Sequence, residues 1–154
     1  MPKFTGEQEE TFTIDLPADK VLEHFLDLRN ITAAYVGLQR SETMDPHTLR
    51  LVLEPQSALG TTFQGTYVCR YTKASDRSIT FRSVGTGDNM ESVGGAEFVA
   101  EGPHRTRVTY RDRITCDIPI NRLLAKALAP IVERNIRSGV KAYVARMKAS
   151  LERQ

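Results

Sequence analysis

The segment PINRLLAKALAPIVERNIRSGVKAYVARMKASLERQ, residues 119–154, carries the longest helical pattern in the chain. From Ile131 onward its large apolar residues recur at steps of three and four, which places them along one stripe of a helix. The stripe consists of Ile131, Val132, Ile136, Val140, Tyr143, Val144, Met147 and Leu151. A long helix with such a stripe needs a large apolar partner, and the strand-rich region before it is the candidate.

Two residues within this segment modify the helix. Pro130 lacks an amide hydrogen and clashes with the preceding turn, so we expect the helix to kink or restart there. Gly139 lies close to the apolar stripe, where glycine costs about 1 kcal/mol relative to alanine. It is either a neutral exposed position or a point at which a ligand or another backbone comes close.

The region before this helix is rich in predicted strands. Alternating patterns predict strands at 4–16, 39–44, 49–53, 61–71, 79–81, 90–101 and 105–116, with a loop at 55–60. One helix is predicted to begin at Pro17, and a second is capped by Asn30 and ends at Gly37. Gly94-Gly95 indicates a bulge or sharp bend in the strand at 90–101. Short turns between strands predict an antiparallel sheet, and the segregation of helices from strands predicts the α+β class.

The composition is that of a globular protein, with 40% hydrophobic and 26% charged residues. At 154 residues we expect one domain, spanning 1–154. Cys69 and Cys116 lack a CxxC spacing, so free thiols in a reducing compartment are favoured over a disulfide. The first ten residues contain no apolar run, and we therefore expect a cytoplasmic protein without a secretion signal.

Positive charge is concentrated at the C-terminal end. Residues 121–154 carry eight Lys/Arg and two Asp/Glu, whereas residues 1–120 carry thirteen and seventeen. This basic segment is either a solvated helix face or a surface attracted to an anionic membrane or an acidic partner. Nucleic acid is disfavoured as a partner, because no basic run is interleaved with aromatic residues.

Strict alternation in the strand at 105–116 separates an apolar face from a face of arginines. The apolar face consists of Val108, Tyr110, Asp112, Ile114 and Cys116. Asp112 is the exception on this face, since a buried carboxylate needs a hydrogen-bonding partner. Either a strand end or a bulge turns Asp112 outward, or it is a polar anchor in a cavity with Tyr67 or Tyr110 as its partner.

The sequence contains no familiar catalytic or metal motif. His24, His47 and His104 form no HxxxH or HExxH pattern, and neither GxSxG nor a P-loop occurs. His24, on the first helix with acidic neighbours, is expected at the surface. We therefore predict no metal site and no cofactor, and Asp112 is the one candidate catalytic residue.

Several stretches resemble the helix-grip (SRPBCC) superfamily, which includes START domains, birch-pollen-allergen-like proteins and polyketide cyclases. The resemblance rests on IDLPADKVLEHFLDLRN at 14–30, GTTFQGTYVCRY at 60–71, GGAEFVAEG at 94–102, RTRVTYRDRI at 105–114 and the final helix. The chain is most similar to the polyketide cyclase/dehydrase and lipid-transport branch. It also resembles the G-subunit-like proteins of carbon monoxide dehydrogenase.

This resemblance implies a curved seven-stranded antiparallel sheet around the C-terminal helix, with a cavity between them for a lipid, quinone or polyketide. We predict that the cavity is lined by Phe63, Tyr67, Phe81, Phe98, Tyr110, Asp112, Ile136, Gly139, Val140 and Tyr143. Three functions are compatible with the sequence. They are binding or transport of such a ligand, a cyclase or dehydrase with Asp112 as general base, and an accessory role at an anionic membrane or an acidic partner.

Overall fold

Nine strands and three helices make up residues 2–154, the part of the chain that the computed structural model describes. Their order is β1 (Lys3–Ile14), α1 (Ala18–Leu26), α2 (Leu28–Ala34), β2 (Leu38–Asp45), β3 (Thr48–Leu53), β4 (Gln56–Ala58), β5 (Thr61–Phe63), β6 (Thr66–Ser75), β7 (Ser78–Ser83), β8 (Met90–Ala100), β9 (Thr106–Asp117) and α3 (Arg122–Glu152). The predicted α+β class, with two short helices after the first strand and a long helix at the end, is confirmed.

Seven of these strands form one antiparallel sheet in the order β1-β9-β8-β7-β6-β3-β2. The helix α3 packs mainly along β1 and against α2. It packs closely on β1 at Gly6, where an added Cβ would lie 2.7 Å from the Ile136 side chain. The apolar stripe of α3 and the inner face of the sheet therefore enclose a shared core.

The glycine pair in β8 allows close packing within the sheet. The register of β8 against β7 and β9 is continuous through Gly94 and Gly95, so of the predicted bulge or sharp bend the bulge is wrong. An added Cβ at Gly94 would lie 2.1 Å from the Arg111 carbonyl oxygen and 2.7 Å from the Phe81 ring. Glycine is needed here because neighbouring backbone and a ring occupy the space of a side chain.

The predicted strand 61–71 is split into β5 and β6, and the predicted loop 55–60 contains β4. The strands β4 and β5 form a separate hairpin whose turn residues, Leu59 and Gly60, both have positive φ, 51° and 77°. The chain changes direction at Gly65, where an added Cβ would lie 2.6 Å from the Met90 sulfur. Asn89 stabilises this bend with two hydrogen bonds of 2.9 Å. Its side-chain amide donates to the Gln64 carbonyl, and its side-chain oxygen accepts from the Thr66 amide.

The helix ends differ from the prediction in detail. The helix α2 begins at Leu28, and the Asp27 carboxylate caps it by accepting a hydrogen bond from the Arg29 amide at 2.9 Å. Asn30, the predicted cap, lies inside α2 and donates to the His24 carbonyl instead. Pro130 lies within a continuous α3, so the helix does not restart there.

The expectation that His24 is at the surface is wrong. Its side chain is buried, and its Nε2 lies 2.9 Å from the Ser150 hydroxyl, which links α1 to the last turns of α3. Burial lowers the pKa of His24 below its usual value. His24 therefore ties two helices together.

Candidate functional site

A cavity of about 210 Å³ lies between the inner face of the sheet, the β4–β5 hairpin and α3. Its wall is largely apolar and draws on β3, β4, β5, β6, β8, β9 and α3. The apolar wall residues include Leu53, Phe63, Met90, Ile114, Ile118, Leu128, Ile131, Ile136 and Val140. Apolar side chains of the sheet, the hairpin and α3 therefore enclose this space.

Eight of the ten residues predicted to line a cavity lie on its wall. They are Phe63, Tyr67, Tyr110, Asp112, Ile136, Gly139, Val140 and Tyr143. Phe81 and Phe98 point inward but lie outside the wall. The Phe81 ring stacks on Tyr110 with ring centroids 5.4 Å apart, and Phe98 meets the edge of Phe25 from α1, also at 5.4 Å. Alternation identifies inward residues, but it does not show which end of the inner face is filled by α1.

The cavity reaches solvent between α3 and the hairpin. Several residues on this part of the wall are exposed, among them Val36, Glu54, Gln56 and Gly139. An added Cβ at Gly139 would meet nothing within 4 Å. The glycine in α3 therefore lies at the mouth of the cavity, where it leaves the opening clear.

Asp112 lies on the cavity wall with 8% of its surface exposed. The Ser92 hydroxyl donates to Asp112 Oδ1 at 2.7 Å. Burial raises the pKa of Asp112 to about 7, against the opposing effects of the Ser92 hydroxyl and the Arg113 amide. A carboxyl group with this pKa exchanges a proton readily near neutral pH.

The five tyrosines of the chain form a connected cluster beside this carboxyl group. Tyr71 joins the cluster through the Phe81 ring, which contacts both Tyr71 and Tyr110. Tyr35, Tyr67, Tyr110 and Tyr143 line the cavity, and the hydroxyls of Tyr35 and Tyr67 are hydrogen-bonded to each other. The Tyr143 ring lies 5.4 Å from Tyr35 and 5.6 Å from Tyr110, centroid to centroid. Burial raises the pKa of Tyr35, Tyr71, Tyr110 and Tyr143, so their hydroxyls stay protonated at neutral pH.

The family model described as polyketide cyclase/dehydrase and lipid transport matches residues 5–152, nearly the whole chain. The chain belongs to this family. No curated protein matches the sequence significantly.

Solved structures show the same fold as this family member. The aromatase/cyclase Zhui from Streptomyces sp. R1128 superposes with a TM-score of 0.69 at 15% identity, over 97% of this chain and 94% of that one. A START superfamily protein from Mycobacterium smegmatis gives 0.64 at 14% identity, over 96% and 97%. A protein from Deinococcus radiodurans gives 0.61 at 21% identity, over 95% and 97%. These similarities confirm the predicted helix-grip fold. Because the sequence identities are low, they are evidence for the fold and not for a shared function.

Ser92, which hydrogen-bonds Asp112, and Tyr35, which lies on the cavity wall, are two polar residues of this family member's site that were not predicted from the sequence. Ser92 shares the inward face of β8 with Ala96 and Phe98, so alternation alone would place it inside. The bulge or sharp bend expected at Gly94-Gly95 interrupts the predicted alternation before it reaches Ser92. Tyr35 follows α2 in a short segment without periodicity, and no local pattern indicates its direction.

The remaining chemistry of the cavity is limited. Cys116 lies on the wall and Cys69 is buried nearby; both are free thiols, and burial raises the pKa of each to about 12. Thiols with such a pKa are poor nucleophiles at neutral pH. Within residues 2–154, no group of three His, Cys, Asp or Glu side chains is arranged to hold a metal ion. No helix in that range is long and apolar enough to cross a membrane.

Proposed function

We propose that the protein binds a hydrophobic small molecule in the cavity between the sheet and α3. The observation that carries this proposal is an apolar-walled cavity of about 210 Å³ that opens to solvent at one end and contains a buried carboxyl group at the other. This is the usual design of a small-molecule site, in which apolar walls supply affinity and a few polar groups orient the ligand. Membership of the family supports the same function.

The volume limits how much of a ligand is enclosed. An apolar cavity of about 150 Å³ holds one benzene molecule. The present cavity therefore encloses one substituted ring or a short alkyl chain, and a longer lipid, quinone or polyketide would extend through the mouth. Burial of apolar ligand surface would contribute about 25 cal/mol per Å².

The test is binding of a lipid and quinone panel, measured by calorimetry, together with extraction of the native protein for bound ligand. A matched pair of variants locates the site. Gly139→Phe places a ring in the mouth and should abolish binding. Arg137→Phe lies about 200° away around the helix and should leave it unchanged. No binding by any panel member, with nothing extracted, would overturn the proposal.

A second candidate function is an enzyme of the cyclase or dehydrase type. The position of Asp112 inside the cavity and its pKa of about 7 favour this alternative. Asp112 would act as general base, and a protonated tyrosine hydroxyl would polarise a carbonyl group of the substrate. The Streptomyces structural relative is itself an aromatase/cyclase.

The enzyme hypothesis makes a separable prediction. Asp112→Asn should abolish turnover of a polyketide-like substrate while the binding of a neutral ligand persists. Full turnover by this variant would remove Asp112 from the mechanism.

The narrower resemblance to the G-subunit-like proteins of carbon monoxide dehydrogenase remains a prediction, for which co-purification with a dehydrogenase is the direct test.

A further inference from the structure

We infer that the cavity selects a ligand that carries a protonated amine at its inner end and that it rejects carboxylates. This inference rests on the proposed binding function and goes beyond it by naming the charge of the ligand. Three features of the wall support it: its charged residues, its aromatic rings and the arrangement of the buried carboxyl group.

The charged residues of the wall are all acidic. Among the described residues that line the cavity, Asp112 and Glu54 are the charged ones, and none is Lys, Arg or His. Asp112 lies at the inner end and Glu54 is exposed at the mouth. A fatty acid or another carboxylate would therefore be buried beside a like charge, with no cation to offset its desolvation.

The inner end of the cavity offers groups that bind a cation. Ser92 donates to Asp112 Oδ1 and is the one side chain among residues 2–154 that hydrogen-bonds this carboxyl group, so the group keeps capacity to accept a hydrogen bond from a ligand. The rings of Tyr35, Tyr110 and Tyr143 adjoin one another with centroids 5.4 Å and 5.6 Å apart. A cation near such rings gains a cation–π attraction, and the tyrosine oxygens accept hydrogen bonds from an ammonium group.

Among residues 2–154, no cationic side chain competes for the carboxylate. Asp112 is faced by Cys69 from β6, Ser92 from β8, Tyr110 from β9, Tyr35 after α2 and Tyr143 from α3. All five are neutral at neutral pH, and the pKa of Asp112 is about 7. An amine ligand therefore meets an unpaired carboxylate above this pH, and below it the ligand must displace a proton.

Three shape-matched probes test the inference: 2-phenylethylamine, 2-phenylethanol and 3-phenylpropanoate. Each carries one ring and a short chain, which suits the enclosed volume of about 210 Å³. Titration calorimetry at pH 7.5 should show the amine binding at least tenfold more tightly than the alcohol, and the carboxylate more weakly than both. Below pH 7, amine affinity should fall by up to tenfold per pH unit, because Asp112 must first lose its proton.

Two variants separate the buried carboxyl group from the exposed one. Asp112→Asn should reduce amine affinity to that of the alcohol measured in the same variant. Glu54→Gln, at the mouth, should change amine affinity less than threefold. The pH dependence in the unmodified protein provides a second measurement that does not require the Asp112 variant to fold.

The outcomes distinguish this inference from the proposed function. If the alcohol binds but the amine has no advantage, or if the carboxylate binds as tightly as the amine, the amine inference is wrong and the binding function stands. An amine preference that survives in Asp112→Asn also overturns it. If none of the three probes and none of the lipid and quinone panel binds, both proposals fail.

Discussion

Asp112 sets the electrostatics of the cavity because it combines burial with a single side-chain hydrogen bond. Its neighbours are hydroxyl groups, aromatic rings and a thiol, and none of these balances a negative charge. Ionisation of Asp112 within the cavity is therefore costly. A group of this kind also affects the stability of the folded chain, since the unfolded chain ionises at a lower pH.

We predict that Asp112 lowers stability as the pH rises from about 4 to about 7. Below pH 4 the group is protonated in both states. Between its ordinary pKa of 3.8 and its folded value of about 7, the unfolded chain loses the proton while the folded chain retains it. The free energy of unfolding should therefore fall across this range, by up to about 4 kcal/mol at about 1.4 kcal/mol per pKa unit.

Urea unfolding of the native protein and of Asp112→Asn at a series of pH values measures this effect. The difference in unfolding free energy should shift in favour of Asp112→Asn as the pH rises, since asparagine does not titrate. Asp76→Asn is the control, because the Asp76 side chain is fully exposed. Parallel pH curves for the native protein and Asp112→Asn would contradict the prediction.

Single residues show both what alternation reveals and where it fails. The inward direction of Asp112 and Tyr110 follows from the period of two in β9, a long strand paired on both sides. Phe81 and Phe98 also point inward by this rule, but they pack against other core side chains and do not line the cavity. Which part of the inner face is covered depends on α1, which lies far away in sequence. Tyr35 and His24 owe their positions to contacts with β6 and α3, which no local pattern contains.

Among the elements, β8 and α3 use glycine for opposite reasons. In β8 the space of a Gly94 side chain is occupied by the Arg111 carbonyl and the Phe81 ring. In α3 the space beside Gly139 is empty. The same substitution should therefore have opposite effects on stability at these two positions.

We predict that Gly94→Ala destabilises the protein by about 2–4 kcal/mol, because the new methyl group overlaps backbone that cannot move without disturbing the sheet. Gly139→Ala should stabilise it by up to about 1 kcal/mol, because alanine favours a helix more than glycine does. Urea unfolding at constant pH measures both changes. Losses of similar size at the two positions would show that the region around Gly139 is not open.

The hairpin β4–β5 is the element that sequence patterns could not reveal. Each strand has three residues, which is too short to establish a period, and Leu59 occupies a turn position that usually takes glycine or asparagine. Long elements were easier to predict, since α3 and β9 repeat their patterns many times. The mouth of the cavity is formed in part by β4 and β5, so the sequence pattern does not predict where the cavity opens.

For the molecule as a whole, the two surfaces of the fold differ in how their positive charges are balanced. Four arginines in or next to β9, Arg105, Arg107, Arg111 and Arg113, form ion pairs with nearby acidic residues. Within residues 2–154, none of the eight Lys and Arg residues of the C-terminal segment forms an ion pair with an acidic side chain. The C-terminal segment is therefore a group of positive charges without acidic partners among the described residues.

We predict that this uncompensated charge attracts the protein weakly to anionic membranes. Leu123, which is 81% exposed, lies beside Arg122 and near Lys126 at the start of α3, where an apolar side chain could enter a bilayer surface. Binding to phosphatidylserine vesicles should be measurable at low salt. It should fall steeply as the salt concentration rises past about 0.1 M, where the screening length is about 10 Å.

A matched pair of double variants tests where the attraction originates. Replacing Arg137 and Lys141 on α3 with glutamine should remove most vesicle binding in a sedimentation assay. Replacing the ion-paired Arg107 and Arg111 with glutamine removes the same formal charge and should have a smaller effect, because those charges are already balanced. Equal losses would mean that net charge alone governs binding. Binding that is indifferent to salt would exclude an electrostatic contact, and the basic face of α3 would then be a solvated surface.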